Sequence, residues 1–294
     1  LSRGLGDVYK RQAGSMSVSG SAGMSISDAD VDNTQATTAE GNTWSMGDSL
    51  TFTGGGEMDN GMSISVSFEV DNDDTGGGNV YDSHSMTLDT NGMGTITFAG
   101  HGGSSAMSAL DDVTPNAYEE SWDVVTGADT GTRVNGSSGD NMFTYKSPTV
   151  SGATVTVGYL PSSDTVTDVT YTDFAIAFSP EAVDGLTVGY GAGDTEETTG
   201  TKIDDTAMYV KYTYGSLTVG YQENESDGTA SSSDIDFEAL GVSYAVTDDF
   251  TIAYSTSDSK KGSDADTQDA TGISASYTSG GVSIAGAMNE VDNV

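Results

Sequence analysis

Along most of this chain, apolar residues alternate with small or polar ones in runs of about ten residues, the length of a tilted membrane strand. Leu217-Thr218-Val219-Gly220-Tyr221 and Phe250-Thr251-Ile252-Ala253-Tyr254 show the unit. A period of two sends successive side chains to opposite faces of a strand. One face here is large and apolar; the other is Gly, Ala, Ser and Thr. A soluble sheet covers its apolar face with a second layer, and this chain has little to build one from. The pattern therefore predicts an all-β barrel, with the apolar face turned out to lipid and the polar face lining water. The residues predicted to point outward are Leu50, Phe52, Ile64, Val66, Phe68, Ile96, Phe98, Val155, Val157, Phe174, Ile176, Leu186, Val188, Leu217, Val219, Ile252 and Ile273.

Alternation and turn signals place strands at residues 14–27, 43–54, 61–70, 83–90, 93–100, 140–147, 151–160, 169–179, 185–193, 204–214, 216–223, 234–246, 249–257, 269–278 and 281–289. The connections fall into two classes that alternate. One class is tight and rich in the Asn-Gly and Gly-Gly pairs that hairpins need, as at Thr90-Asn91-Gly92 and Ser279-Gly280. The other is longer and acidic: residues 28–42, 71–82, 101–139, 161–168, 194–203, 224–233 and 258–268. Strict alternation means an up-and-down antiparallel barrel with turns at one rim and loops at the other. Greek-key sandwiches and jelly rolls break that order with long crossovers.

The aromatic residues are expected to form two belts at the membrane interfaces. Tyr159, Tyr190, Tyr221 and Tyr254 are read as ending strands that run toward long loops. Tyr145, Tyr214, Tyr244 and Tyr277, with Phe178, are read as lying near the tight turns.

Composition narrows the partners. Hydrophobic residues make up 35% of the 294, and no run approaches the roughly 18 apolar residues of a membrane helix. The net charge of −36 excludes nucleic acid, whose phosphates need basic patches. There is no cysteine, hence no disulfide frame or thiol chemistry. Residues 1–12 hold three of the nine basic residues and resemble a translated sequencing-adapter tail, so they are read as non-native. No signal peptide is visible, and the chain stops without a strand ending in an aromatic. It is expected to be a fragment at both ends.

Fifteen strands, with a missing last one that would pair with the first, resemble the sixteen-stranded general porins of Gram-negative outer membranes, in particular the alphaproteobacterial type. The likeness covers residues 13–294 and includes the place of the longest connection. In that family the loop between the fifth and sixth strands folds into the barrel and narrows the pore, and here residues 101–139 occupy that place. The resemblance implies a cell-outer-membrane channel for passive diffusion of small hydrophilic solutes and ions. It also implies a homotrimer in contact with lipid and lipopolysaccharide. Two features depart from the family. Thr114-Pro115-Asn116-Ala117 only echoes its loop tip, and residues 13–132 contain no Lys or Arg to supply its basic wall.

The acids expected at the constriction are Asp111, Asp112, Glu119, Glu120, Asp123 and Asp129, set against Arg133 alone. Acids held in a narrow passage favour cations. Asp71, Asp73, Thr75 and Asp82 have part of a calcium-loop spacing, with an Asp where that loop needs a bidentate Glu, and form a weak candidate for Ca²⁺. No other cofactor is expected. His84 and His101 are the only histidines, and no nucleophile elbow or paired metal motif accompanies them, so no enzyme is expected. The high Gly, Ser, Thr and Asp content also suits an acidic calcium-binding adhesin or β-solenoid, although no short fixed repeat is present. Seven of the eleven Met and only one Tyr, Tyr81, lie in residues 13–100. Flexible Met suits a surface that packs on another subunit, so these first five strands are the expected subunit contact.

Overall fold

The structure is a computed structural model. It describes residues 15–29, 41–71, 81–122, 136–161, 169–197, 200–230, 234–262 and 267–292. The first strands are β1 (Ser15–Ala29), β2 (Gly41–Glu57), β3 (Ser63–Asp71), β4 (Ser83–Asp89) and β5 (Thr95–His101). A short pair follows, β6 (Gly103–Ser104) and β7 (Ser138–Gly139). The wall resumes with β8 (Met142–Lys146), β9 (Ala153–Leu160), β10 (Val169–Phe178), β11 (Leu186–Glu197) and β12 (Lys202–Tyr214). It continues through β13 (Leu217–Gly228), β14 (Ile235–Thr247), β15 (Phe250–Lys261), β16 (Gln268–Ser279) and β17 (Val282–Asp292). All except β6 and β7 form one 15-stranded sheet in chain order. Every pairing along it is antiparallel, and each of the fifteen sequence-derived strands is present. This is an up-and-down β-barrel wall. A solenoid would stack its strands in parallel, so the solenoid alternative is set aside.

The two faces are as unlike as the alternation requires. Of the residues expected to point outward, Leu50, Phe52, Phe68, Ile96, Val155, Val157, Ile176, Leu217, Val219, Ile252 and Ile273 are exposed. The other six are half-buried. None is covered by a second layer. The fully buried side chains lie on the opposite face, where residues 105–122 rest against it.

The short turns carry the backbone strain of tight reversal. Gly152 (φ 85°) and Gly185 (φ 80°) are left-handed. A Cβ at either would stand 2.1 Å from Ser179 O or 2.0 Å from Thr213 O, so a side chain is excluded there by sterics as well as by φ.

The strands tilt, and the register shows by how much. Tyr190 pairs with Met208, and Met208 with Glu223, two residues beyond Tyr221. Tyr221 pairs with Leu240, and Leu240 with Thr256, two beyond Tyr254. A lower row repeats the step. Phe178 pairs through Val188 to Val210, two before Tyr212, and Tyr212 pairs through Val219 to Val242, two before Tyr244. Tyr244 pairs through Ile252 to Ala275, two before Tyr277. Two residues are roughly 6.8 Å along a strand and two strands are roughly 9.6 Å across, so a level row of aromatics crosses strands tilted by about 35°. Membrane barrels tilt their strands by about 35–45°.

Two expectations are corrected here. Tyr190, Tyr221 and Tyr254 do not end their strands, which run on to Glu197, Gly228 and Lys261. The outward residues beyond these tyrosines are, apart from Ala192, charged or hydroxylic: Asp194 and Glu196, then Glu223, Glu225 and Asp227, then Thr256, Asp258 and Lys260; apolar alternation stops while hydrogen-bonded pairing continues. The two rows also lie close together. Leu240, beside Tyr221, is four residues from Tyr244, roughly 13 Å along the strand. The apolar face runs on past Tyr244 to Val246, and on β12 past Tyr212 to Tyr214, both exposed. The rows therefore do not by themselves mark both edges of that face.

Candidate functional site

Small residues recur along the inner face of β9–β17, and residues 105–122 of the longest connection lie across it. The root of that connection is held by the β6–β7 ladder, which the sequence reading missed because it is only two residues long. Ser105 N donates to Ser137 O at 3.0 Å, and Ser137 N to Ser105 Oγ at 3.0 Å. A single 3₁₀ turn follows at Met107–Ala109.

From there the segment meets the wall strand by strand. Met107 N donates to Asp173 Oδ2 on β10 at 2.7 Å. Val113 N and Thr114 N donate to Gln222 Oε1 on β13 at 3.1 and 3.2 Å. Gln222 Nε2 donates to Asp111 O at 2.5 Å. Ala117 N donates to Ser274 Oγ on β16, and Ser121 N to Ser255 Oγ on β15, each at 3.1 Å. Asn289 Nδ2 on β17 donates to Glu120 O at 3.4 Å. In every case a wall side chain meets the segment's backbone. Buried backbone groups must be paired, and here the wall pairs them.

Apolar contacts and glycines complete the seat. Ala106, Met107 and Leu110 pack with Ala175 and Ala207, and Trp122 packs with Phe237, Ala239 and Ala270. The Trp122 and Phe237 rings meet edge to face at 5.2 Å. A Cβ on Gly191 would stand 2.6 Å from Leu110, one on Gly220 2.5 Å from Pro115, and one on Gly272 3.0 Å from Ser121. These glycines thus make room for a second piece of chain. In sequence they read only as the small face of each strand.

The expected constriction acids separate by place. Asp112 and Glu119 are exposed and Asp111 is half-buried. Glu120 is buried, and Asn116 Nδ2 donates to its carboxylate. Asp123, Asp129 and Arg133 lie outside the described residues. Across the sheet, the inner face of β1–β5 is a field of hydroxyls: Ser17 with Thr53 at 2.6 Å, Ser21 with Ser49 at 3.2 Å, Ser25 with Ser45 at 2.6 Å and Thr87 with Thr97 at 2.9 Å.

The aromatic sites are on the outer face. Tyr159, Tyr190, Tyr244, Tyr254 and Tyr277 are about equally exposed, and Tyr214 more so, at 75%. Tyr145 and Tyr221 are half-buried; Tyr145 OH donates to Met93 O at 2.7 Å, and Tyr221 OH to Glu238 at 2.9 Å. Tyr212, in step with the lower row, was overlooked because Tyr214 stood nearer the turn.

Beyond the tyrosines the outer face turns acidic. Glu223, Glu238, Asp258, Asp269 and Asp292 face one another in a single row across β13–β17. Asp194 faces Asp204. Partial burial, then the hydrogen bond and charge of Asp204, push the Asp194 carboxyl up; burial and Asp269 do the same to Asp258. Lys202 holds the Glu196 carboxyl down.

Of the calcium candidates, Asp71 ends β3 and Asp82 precedes β4, while Asp73 and Thr75 lie outside the described residues. Among the described residues no group of three or more acids or histidines could hold a metal ion. His84 and His101 stack at 6.3 Å, and His101 Nδ1 meets Asp140 at 2.6 Å.

The sequence-family model described as Gram-negative porin matches residues 10–294. No curated protein sequence matches the chain. Among solved structures, it is similar to an anion-selective porin from Comamonas acidovorans, with TM-score 0.67 and 14% identity, over 94% of this chain and 88% of that one. It is similar to OmpT, an outer membrane protein of Vibrio cholerae, with TM-score 0.68 and 11% identity, over 97% and 89%. A mutant of the Rh. blastica porin gives TM-score 0.65 and 18% identity, over 94% of each chain. At such identities these likenesses bear on the fold alone.

Proposed function

This chain belongs to the Gram-negative porin family, and from that premise we propose that it is a cation-preferring pore for small hydrophilic solutes, narrowed by residues 101–139. Its place is the outer membrane, and its channel class follows from the family. The observation that carries the cation preference is the pairing of surfaces inside the wall. Asp112 and Glu119 project, exposed, from a segment seated on β9–β17, while hydroxyls and no Lys or Arg line the face of β1–β5. A carboxylate in a narrow aqueous passage is poorly screened and attracts cations. Hydroxyls offer no competing anion site. The anion selectivity of the Comamonas porin belongs to that protein; here the charge balance is this chain's own, at −36.

The assembly proposed is a homo-oligomer, in line with a trimer, that meets through β1–β5. Met16, Met24, Met46, Met86 and Met93 are exposed on these strands and their turns, and belt-type tyrosines are absent from them. The pore catalyses no reaction in this reading.

The deciding experiment is the zero-current potential of the refolded chain in a planar bilayer under a salt gradient. The expected sign is that of a cation-preferring pore. A potential of anion-preferring sign, or none, refutes the charge assignment.

A further inference from the structure

We propose that Gln222 is the positioning residue of the constriction, the group that sets where the tip of the inserted segment stands in the lumen. The proposal rests on the reading of residues 101–139 as the narrowing element. Gln222 is 0% exposed although it lies on the water-lining face of β13. Its amide is spent on three backbone groups of one short stretch: it accepts from Val113 N and Thr114 N and donates to Asp111 O. Asp173, Ser255, Ser274 and Asn289 each make one such bond to the segment. At neutral pH a carboxylate only accepts and an ammonium or guanidinium only donates, whereas a side-chain amide presents an acceptor and a donor side by side, as this stretch requires.

The next residue of the segment is fitted sterically. Gly220 and Gly241 pair directly across β13 and β14 on the same face. A Cβ on either would stand 2.5 Å from Pro115 Cδ or 2.7 Å from Pro115 O. The two glycines form a notch, Pro115 fills it, and Gln222 clasps the backbone just before it. Asp112, exposed, lies between the clasped groups. Because the clasp reads backbone only, it fixes the height of Asp112 without using the Asp112 side chain. Aperture and charge position are thereby set at one point.

The test is single-channel recording of the refolded chain and two variants. Gln222→Leu removes all three bonds and is expected to replace one conductance level by several, with open-channel noise raised several-fold. Gln222→Glu keeps the acceptors, loses the donor and sets a carboxylate against the Asp111 carbonyl. It is expected to be noisy at neutral pH and to approach the quiet parent as acid protonates the new carboxyl, a pH response that loss of fold would not give. Parent-like noise in Gln222→Leu, or noise unmoved by acid in Gln222→Glu, overturns the proposal. Excision of residues 104–130 separates the two readings. If excision leaves conductance unchanged, the constriction itself is refuted. If it raises conductance while Gln222→Leu stays silent, only the role of Gln222 is.

Discussion

Single residues on this wall do different work according to which face they take. Asp194 and Asp204 meet across β11 and β12 outside the tyrosines, and the Asp194 carboxyl is pushed up. A carboxyl with a raised folded pKa supports the fold where it is protonated. That support is complete below the ordinary value of 3.8 and is lost as pH rises through the folded value. At neutral pH the pair therefore repels, as like charges directly opposite on a sheet do. Asp194→Asn should raise the thermal midpoint in detergent at neutral pH, and the gain should vanish on acidification. An equal gain at both pH values would mean the pair is not the cause. Trp122 offers a second residue-scale check. It is 2% exposed against Phe237, whereas Trp44 is 62% exposed on the outer wall. In a Trp44→Phe background, Trp122 emission should resist aqueous quenchers. Phe237→Ala should admit the quencher, since truncating a packed Phe removes about 3–5 kcal/mol of contact.

At the scale of elements, the inserted segment and the wall are separable in their effects. The structure divides the acids that sequence grouped together. Asp112 and Glu119 face water, whereas Glu120 is turned into the seat and bonded by Asn116. Asp112→Asn with Glu119→Gln should lower cation preference while leaving high-salt conductance nearly unchanged, because volume is conserved. Glu120→Gln should leave the zero-current potential close to that of the parent. If Glu120→Gln shifts it as much as the double variant does, the assignment of exposed and seated acids is wrong.

For the whole molecule, charge is unevenly placed. Carboxylates crowd the ends of β11–β17 beyond the tyrosines, while the turns around Ser147–Val150, Gly215 and Ser279-Gly280 carry none. Cation attraction by that rim should fade with salt, as the Debye length falls from roughly 30 Å at 0.01 M to about 3 Å at 1 M. Selectivity that persists at the higher salt belongs to the segment inside the wall. Assembly through β1–β5 makes its own forecast. Single cysteines on the outer face, such as Met24→Cys or Met46→Cys, should crosslink between copies, and Ile252→Cys or Val219→Cys should not. The reverse result would place the contact elsewhere.

The alternation of side chains by itself determined the strand number, the antiparallel order and the lipid-facing set. Each of these depends only on period two and on turn residues, which are local. Sequence also located the segment most able to enter the lumen, because length is visible without coordinates. Tertiary structure decided what lies across the barrel. Gln222 and Asp111 are far apart in the chain, and no local pattern marks a buried amide as a clasp for a distant backbone. Gly191, Gly220, Gly241 and Gly272 looked like ordinary small positions until a second piece of chain was found resting on them. The strand ends beyond Tyr190, Tyr221 and Tyr254 were missed for a related reason. Backbone pairing holds them together, and pairing leaves no hydrophobic period once most of the outward residues are charged or hydroxylic.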